Sequence, residues 1–334
     1  MSRRTTIIDI ARRADVSAMT VSRYFNTPEK LAEETRVKVR EAAEALDYIP
    51  NATVRAFFQG RTDTFALVVP SISDPFVMQI AQGVEDAAWA TGYVILMCNT
   101  DSNESRERAY YEQLVSRRID GIITLPTLRP QAEAEQSLDI IERYQIPAVV
   151  LLRQLEGQTF DTVKVDSYGG GRLLGEHFTR QGLKSVVFVG GTPAVESTRD
   201  RVRGLKDALS GSDVELDVRF GGFDQECGFD IASDIIAEGR RPDVIVSAMN
   251  VVAIGILKAL KAADSSLPVA SFGSLSTELR GLYDPLYAFI EHNPQEIGRR
   301  AVSALRRRLD DPDADISEAI VPVRLVVGDS TGAA

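Results

Sequence analysis

Two cysteines, two histidines and one tryptophan in 334 residues set the first limits on this chain. Cys98 and Cys227 stand far apart in ordinary segments, so both read as small buried residues of a reducing compartment rather than a disulfide or a metal site. His177 and His292 have no neighbours at metal-ligating spacing, and proton-transfer chemistry would have to rest on carboxylates in no recognisable arrangement. The stretch GGGR at 169–172 lacks the last glycine of a dinucleotide fingerprint and the Gly-Lys-Ser/Thr end of a phosphate loop; a G-x-S-x-G nucleophile elbow is absent. No enzymatic activity, no cofactor and no metal are therefore expected. Behind the arginines of MSRRTTIIDIARR there is no apolar run, so no signal peptide is expected. No stretch approaches the ~18 apolar residues of a membrane helix, so no membrane partner is expected either.

What is present is unevenly distributed. The net charge is −10, yet residues 1–61 hold 11 Lys/Arg against 8 Asp/Glu, while the remaining 273 residues hold 27 against 40. A small basic head on an acidic body fits a DNA binder whose body stays off the DNA.

The head contains TIIDIARRADVSAMTVSRYFN at 6–26, which reads as two short helices joined by a tight turn. Thr6 caps the first helix, Asp9 completes a capping box, and Ile7, Ile10 and Ala11 form its apolar face. Asp15, in the turn, is a residue type that tolerates a left-handed backbone. Ser17 caps the second helix, anchored by Val21 and Phe25. Its other face carries Ala18, Met19, Thr20, Ser22 and Arg23, the kind of face a recognition helix turns toward the major groove. Alone, the pattern also fits any helical hairpin at a domain edge.

A third helix is expected from about Glu33 to Asp47, with Val37, Val39, Ala43 and Leu46 on its buried face. Pro50 closes that region, and Asn51 caps a further short helix, ATVRAFFQ, ended by Gly60. So short a helix is marginal in water and is expected to order only against a partner. From Phe65 the pattern changes to apolar strands alternating with helices: FALVVP (65–70), YVILMC (93–98), DGIITL (120–125), IPAVVLL (146–152), SVVFVG (185–190), DVIVSA (243–248), LPVASF (267–272) and LYAFI (286–290). Such alternation implies parallel sheet, and about ten units are too many for one comfortable sheet. The predicted fold is thus an N-terminal all-α helix-turn-helix headpiece followed by an α/β core of two doubly wound subdomains. Ligands in such folds bind beyond the carboxyl ends of the strands, which places a site between the two sheets.

Four stretches, DIARRADVSAMTVSRYFN, REAAEALDYIPN, ALVVPSISDPFVMQIAQGVEDAAWATGY and the closing RLVVGDST, together resemble the LacI/GalR family of bacterial transcription regulators. The resemblance implies a headpiece (1–50), a hinge helix (51–61) and an effector-binding, dimerising core (62–334) of the type I periplasmic-binding-protein shape. The core would divide into an N-subdomain of about 62–162 and 292–320 and a C-subdomain of about 163–291 and 321–330. It further implies a cytoplasmic, nucleoid-associated homodimer that reads a pseudo-palindromic operator in double-stranded DNA, usually as a repressor.

Carried over by position, Ala18 and Met19 set base preference, Arg23 is a third base reader, and Thr6, Ser17, Thr20, Ser22, Asn26 and Asn51 join the DNA-contacting set. Arginine can fork onto a guanine edge, whereas Ala18 and Met19 offer only apolar contact. Phe57 stands where the family has a leucine wedged into the minor groove, and a phenylalanine can do the same work. For the effector, Arg201 matches the gripping arginine, while Phe76 and Phe223 match ring-stacking positions. Gly273 stands where an acid is usual, Met249-Asn250 replaces an Asn-Asp pair, and Gly169 replaces a polar residue. With acids lost and Arg201 kept, and Arg153 and Arg199 as further cations, a sugar acid or phosphorylated sugar is favoured over a neutral sugar as effector. The alternative is a solute-binding protein with no DNA-directed function.

Overall fold

The structure is a computed structural model that describes residues 5–48, 60–127, 131–153, 159–275 and 286–328. The chain divides into two compact units: residues 1–64 with 118–120, and residues 65–117 with 121–334.

In the first unit, α1 (Ile7–Ala14) starts at Thr6, whose hydroxyl accepts from Asp9 N while the Asp9 carboxylate accepts from Thr6 N at 2.9 Å. It stops at Asp15, which takes the left-handed conformation (φ 55°). Helix α2 (Ala18–Asn26) starts at Ser17, whose Oγ accepts from Thr20 N at 3.1 Å. A single 3₁₀ turn (Pro28–Lys30) leads into α3 (Glu33–Ala45). That helix ends two residues before the expected Asp47, which is itself left-handed (φ 47°). Its buried residues are Val39, Ala42 and Ala43; Val37 and Leu46 are only half-buried. Ile10 and Val21 from α1 and α2 meet Val39 in one small core, flanked by Tyr24, Phe25 and Tyr48. The expected hinge helix of 51–61, with Asn51 and Phe57, lies outside the described residues but for Gly60 and Arg61.

The second unit holds two six-stranded sheets. In lobe one the order is β11-β5-β4-β3-β1-β2, from β1 (Thr64–Val69), β2 (Val94–Asn99), β3 (Gly121–Thr124), β4 (Ala148–Leu151), β5 (Asp161–Val165) and β11 (Glu318–Val321). Helices α4 (Pro75–Trp89), α5 (Glu104–Ser116), α6 (Gln131–Arg143) and α11 (Pro294–Asp310) belong with this sheet. In lobe two the order is β12-β10-β9-β8-β6-β7, from β6 (Ser185–Val189), β7 (Glu215–Arg219), β8 (Val244–Ser247), β9 (Val269–Phe272), β10 (Ala288–Glu291) and β12 (Arg324–Val327). Helices α7 (Ser167–Arg180), α8 (Glu196–Leu209), α9 (Gln225–Ala237) and α10 (Asn250–Ala262) pack on it. The β10–β12 pair is antiparallel, and the chain between its two strands runs through α11 and β11 of lobe one.

All eight apolar runs read from the sequence are strands. Of the other four strands, β12 lies in the closing RLVVGDST stretch, and three escaped the reading: β5 (DTVKV), β7 (ELDVR) and β11 (EAIV), which carry charges. Two of them are sheet edges, where charged side chains are tolerated and protect against edge-to-edge pairing. The third, β5, buries Asp161 completely. Its carboxylate accepts from Arg307 (2.6 Å), Arg308 (3.0 Å), and Ser317 N (2.8 Å) and Oγ (2.7 Å). The expected subdomain switch between 162 and 163 falls inside β5; the chain leaves lobe one only after Val165. It crosses three times in all, between β5 and α7, between β10 and α11, and between β11 and β12.

Glycines set the helix spacing. A Cβ on Gly171 would lie 2.3 Å from Arg201 O, and one on Gly204 2.2 Å from Tyr168 O, so α7 and α8 approach through facing glycines. The same reciprocity joins α9 to α10 (Gly228 with Gly255) and α4 to α11 (Gly83 with Gly298). The GGGR stretch is therefore a packing surface. Gly169, expected at an effector position, instead gives its N–H to the capping Asp166 carboxylate at 2.7 Å.

Candidate functional site

The side chains expected from the sequence to be functional gather on two surfaces, one in each unit. In the first, α2 turns Val21 into the core and leaves the opposite face open. Ala18, Met19 and Arg23 are exposed, Met19 at 64%, while Ser22 and Asn26 are half-buried beside them. Positions 18, 19, 22, 23 and 26 recur at three- and four-residue spacing and share one face. Asn26 Nδ2 donates to Ser22 O at 2.9 Å and Ser22 Oγ at 3.3 Å, but its Oδ1 has no partner. Thr20, half-buried at the edge of this face, is held by Ser17 through a 2.9 Å hydroxyl contact. Arg23 pairs with no carboxylate among the described residues, so its five donors remain available. Thr6 is engaged by Asp9 within its own capping box. The face offers forked, hydroxyl and apolar contacts from a helix whose start is capped and whose inner side is pinned, which suits rigid entry into a groove.

The second surface lies between the lobes. Phe76, in the first turn of α4, meets the His292 ring edge-on at 5.7 Å between centroids. His292 sits on the crossover from β10 to α11, and burial together with the Arg201 charge pushes its pKa down to about 3. Arg201, on α8 of lobe two, donates to Ala248 O at 2.7 Å and lies 5.0 Å above the Phe272 ring. Its Nε is buried with no partner. Burial pulls the guanidinium pKa down to about 10, partly opposed by Asp200. At the carboxyl ends of the neighbouring strands β8 and β9, Asn250 and Gly273 face each other; a Cβ on Gly273 would lie 3.6 Å from Asn250 Cβ. Asn250 turns its Oδ1 onto Val251 N at 2.9 Å, and Gly273 has φ 120°, a conformation few other residues adopt.

Not every expected residue joins this group. Arg153 is buried on lobe one and donates to Thr127 O at 2.8 Å, in a polar cluster where Glu107 accepts from Thr127 N (3.0 Å) and Ser137 Oγ (2.9 Å). Arg199 is exposed and bonds Pro193 O of its own loop at 2.8 Å, so it is not a cleft cation. Phe223 is half-buried in the loop after β7. Sequence reasoning missed His292 and the Glu107–Thr127–Ser137 cluster. The signal for His292 was its place directly after an apolar strand and before the capped α11.

Lys164 of β5 binds Glu196 of α8 at 3.2 Å across the lobes, and Glu318 of the neighbouring strand β11 at 2.9 Å within its own lobe. No helix among the described residues is long and apolar enough to cross a membrane.

Comparison with known proteins gives the same division. Residues 6–51 match the family described as bacterial regulatory proteins, lacI family, and residues 65–312 match the periplasmic binding protein domain. Catabolite control protein A of Staphylococcus xylosus is 31% identical over 326 residues, covering 96% of this chain and 97% of that protein. The ribose operon repressor of Halalkalibacterium halodurans is 28% identical over 331 residues, covering 98% and 97%. A crystal structure of the Lac repressor dimer bound to operator and the anti-inducer ONPF superposes with a TM-score of 0.82 at 22% identity, covering 97% of this chain and 98% of that one. The two matched regions in this order, and a relative aligned over nearly its whole length, show that the chain belongs to the lacI family of bacterial regulatory proteins.

Proposed function

We propose that the protein is a sequence-specific, homodimeric transcriptional repressor whose operator affinity is set by a small molecule bound between its two lobes. The observation that carries this reading is the open face of α2. It combines a free arginine fork with exposed Ala18 and Met19, on a helix pinned by Val21 and capped by Ser17. Arg23 would fork onto a guanine edge, Met19 and Ala18 would touch thymine methyls, and Ser17, Thr20, Ser22 and Asn26 would hold phosphates. A solute-binding role alone would leave this face without a task.

A second copy is supported by lobe one's edge strand, where Val94, Leu96 and Met97 are exposed beside Met78 and Trp89 of α4. Two headpieces held by such a core read half-sites spaced by the helical repeat. In this reading Phe57 and Asn51 act at the operator centre, Phe57 as the minor-groove wedge. The effector, a sugar or sugar derivative, would contact Phe76, Arg201, Phe223, Asn250 and the backbone at Gly273. It shifts DNA binding only by its differential affinity for the two lobe arrangements. The site of action is the bacterial cytoplasm, on the nucleoid.

The test is selection of random duplexes by the purified full-length protein, with its mass in solution measured in parallel. Enrichment of one pseudo-palindrome by a dimer is expected. Failure to enrich any common motif sinks the DNA-directed reading and leaves solute capture.

A further inference from the structure

We propose that Asp120 is a positioning residue for operator binding: its carboxylate clamps the chain at Thr62 and Asp63 and so fixes where that chain enters β1. This rests on reading the first unit as the DNA-reading headpiece of a dimer, and it names the group that stiffens the link behind that headpiece.

The headpiece runs on toward β1 along one stretch of chain, which reaches Thr64 through Arg61, Thr62 and Asp63. Every residue there brings two soft backbone dihedrals, so an unrestrained link would let what precedes it swing. Asp120 removes that freedom. Its Oδ1 accepts from Thr62 N at 2.8 Å and from Thr62 Oγ1 at 3.0 Å, and its Oδ2 accepts from Asp63 N at 2.8 Å. Asp120 N in turn donates to Thr64 O at 3.0 Å, and Thr64 Oγ1 donates to Thr62 O at 3.0 Å. Asp63 is held left-handed (φ 50°), a conformation uncommon outside glycine, and it makes the corner.

This carboxylate is spent on the chain alone. Asp120 is buried and forms no ion pair among the described residues. Residues 118–120 group with residues 1–64 and apart from the rest of the chain, although Gly121 directly after them opens β3. The β1–β3 ladder, from Phe65 with Gly121 to Val68 with Thr124, already joins those two strands. The clamp acts ahead of that ladder, on residues 62 and 63, where what it restrains is the chain leading back to the headpiece. Asparagine could not replace it, because one carbonyl oxygen accepts and the amide would face an N–H donor.

A stiff link matters when two headpieces share one operator. The second gains from the first only as far as it is held near its half-site, an effective concentration set by what joins them. A residue released at the link must be ordered again on binding, which costs roughly 5- to 30-fold in affinity.

The test compares the full-length protein on its selected operator and on a duplex carrying one half-site, by anisotropy. Asp120→Asn is nearly isosteric, and Thr62→Val removes the hydroxyl donor alone. D120N should leave half-site affinity at the wild-type value, because α2 is untouched, and should shrink the advantage of the whole operator over the half-site at least about 10-fold. T62V should shrink it less. Hydrogen exchange read by mass spectrometry should rise in D120N at residues 62–64, with Tm and exchange across α1–α3 unchanged. The proposal is overturned if D120N keeps the wild-type ratio of operator to half-site affinity. It is equally overturned if both affinities fall by one factor, as for a merely structural defect, or if exchange at 62–64 stays slow. A wild type that prefers no sequence at all overturns the headpiece reading and takes this assignment with it.

Discussion

Replacing Arg23 with alanine separates reading from folding. Arg23 is exposed, forms no ion pair among the described residues, and sits in a helix where alanine is at least as favourable. The headpiece should therefore fold with a stability change within about 0.5 kcal/mol. A forked contact to guanine is worth about 1–3 kcal/mol of discrimination. A dimer makes it twice, so the operator should lose about 2–6 kcal/mol, or roughly 30-fold to 20,000-fold in affinity. The assay is anisotropy of a labelled operator and of a panel in which each base pair is changed in turn. The wild type should show a sharp penalty at one guanine in each half-site, and R23A should lose that penalty alone. If R23A instead weakens every sequence equally and lowers the salt slope by about one ion per contact, Arg23 holds a phosphate and the base-reading argument is wrong.

Three further outcomes follow from particular residues. Phe57→Ala should reduce both operator affinity and the bend measured by circularly permuted fragments; unchanged mobility across the permutations rules out the wedge. Asp161→Ala should cost about 3 kcal/mol in a urea titration, because a fully buried carboxylate is removed from two arginines, of which Arg307 still reaches solvent; a loss under about 1 kcal/mol contradicts the clamp. His292 is neutral in the fold until about pH 3, whereas in the unfolded chain it takes a proton near 6.5. The unfolded state then binds more protons in between, so folded stability falls as pH drops, by about 2–3 kcal/mol at pH 4.5. His292→Gln should flatten that part of the profile, and a variant whose profile parallels the wild type refutes the burial argument.

The headpiece was legible almost residue by residue, because its signals are local. The Thr6 capping box, the left-handed Asp15 and the Ser17 cap all act within one turn of the residue concerned. Buried strands were legible for the same reason: a strand covered on both faces is a continuous apolar run, as in FALVV and SVVFV. Edge strands β7 and β11 were not, since one side of an edge meets solvent and tolerates Glu215, Arg219 and Glu318. Nor was β5, whose Asp161 and Lys164 are explained only by partners more than a hundred residues away or on the other lobe. The cleft was half legible. Arg201 and Phe76 stand where the two lobes meet, near His292, whereas two arginines of identical type, Arg153 and Arg199, bond carbonyls elsewhere. Nothing in the sequence distinguishes the guanidinium bonded to Ala248 O at Arg201 from those bonded to Thr127 O or Pro193 O, because that difference is made by tertiary neighbours.

The central claim, that α2 makes this chain a reader of specific DNA, is tested most directly by competition. The full-length protein is bound to its selected operator at physiological salt and displaced with the operator or with a scrambled duplex of the same composition. A ratio of at least about 10³ in favour of the operator is predicted. Equal displacement by the two duplexes contradicts the account.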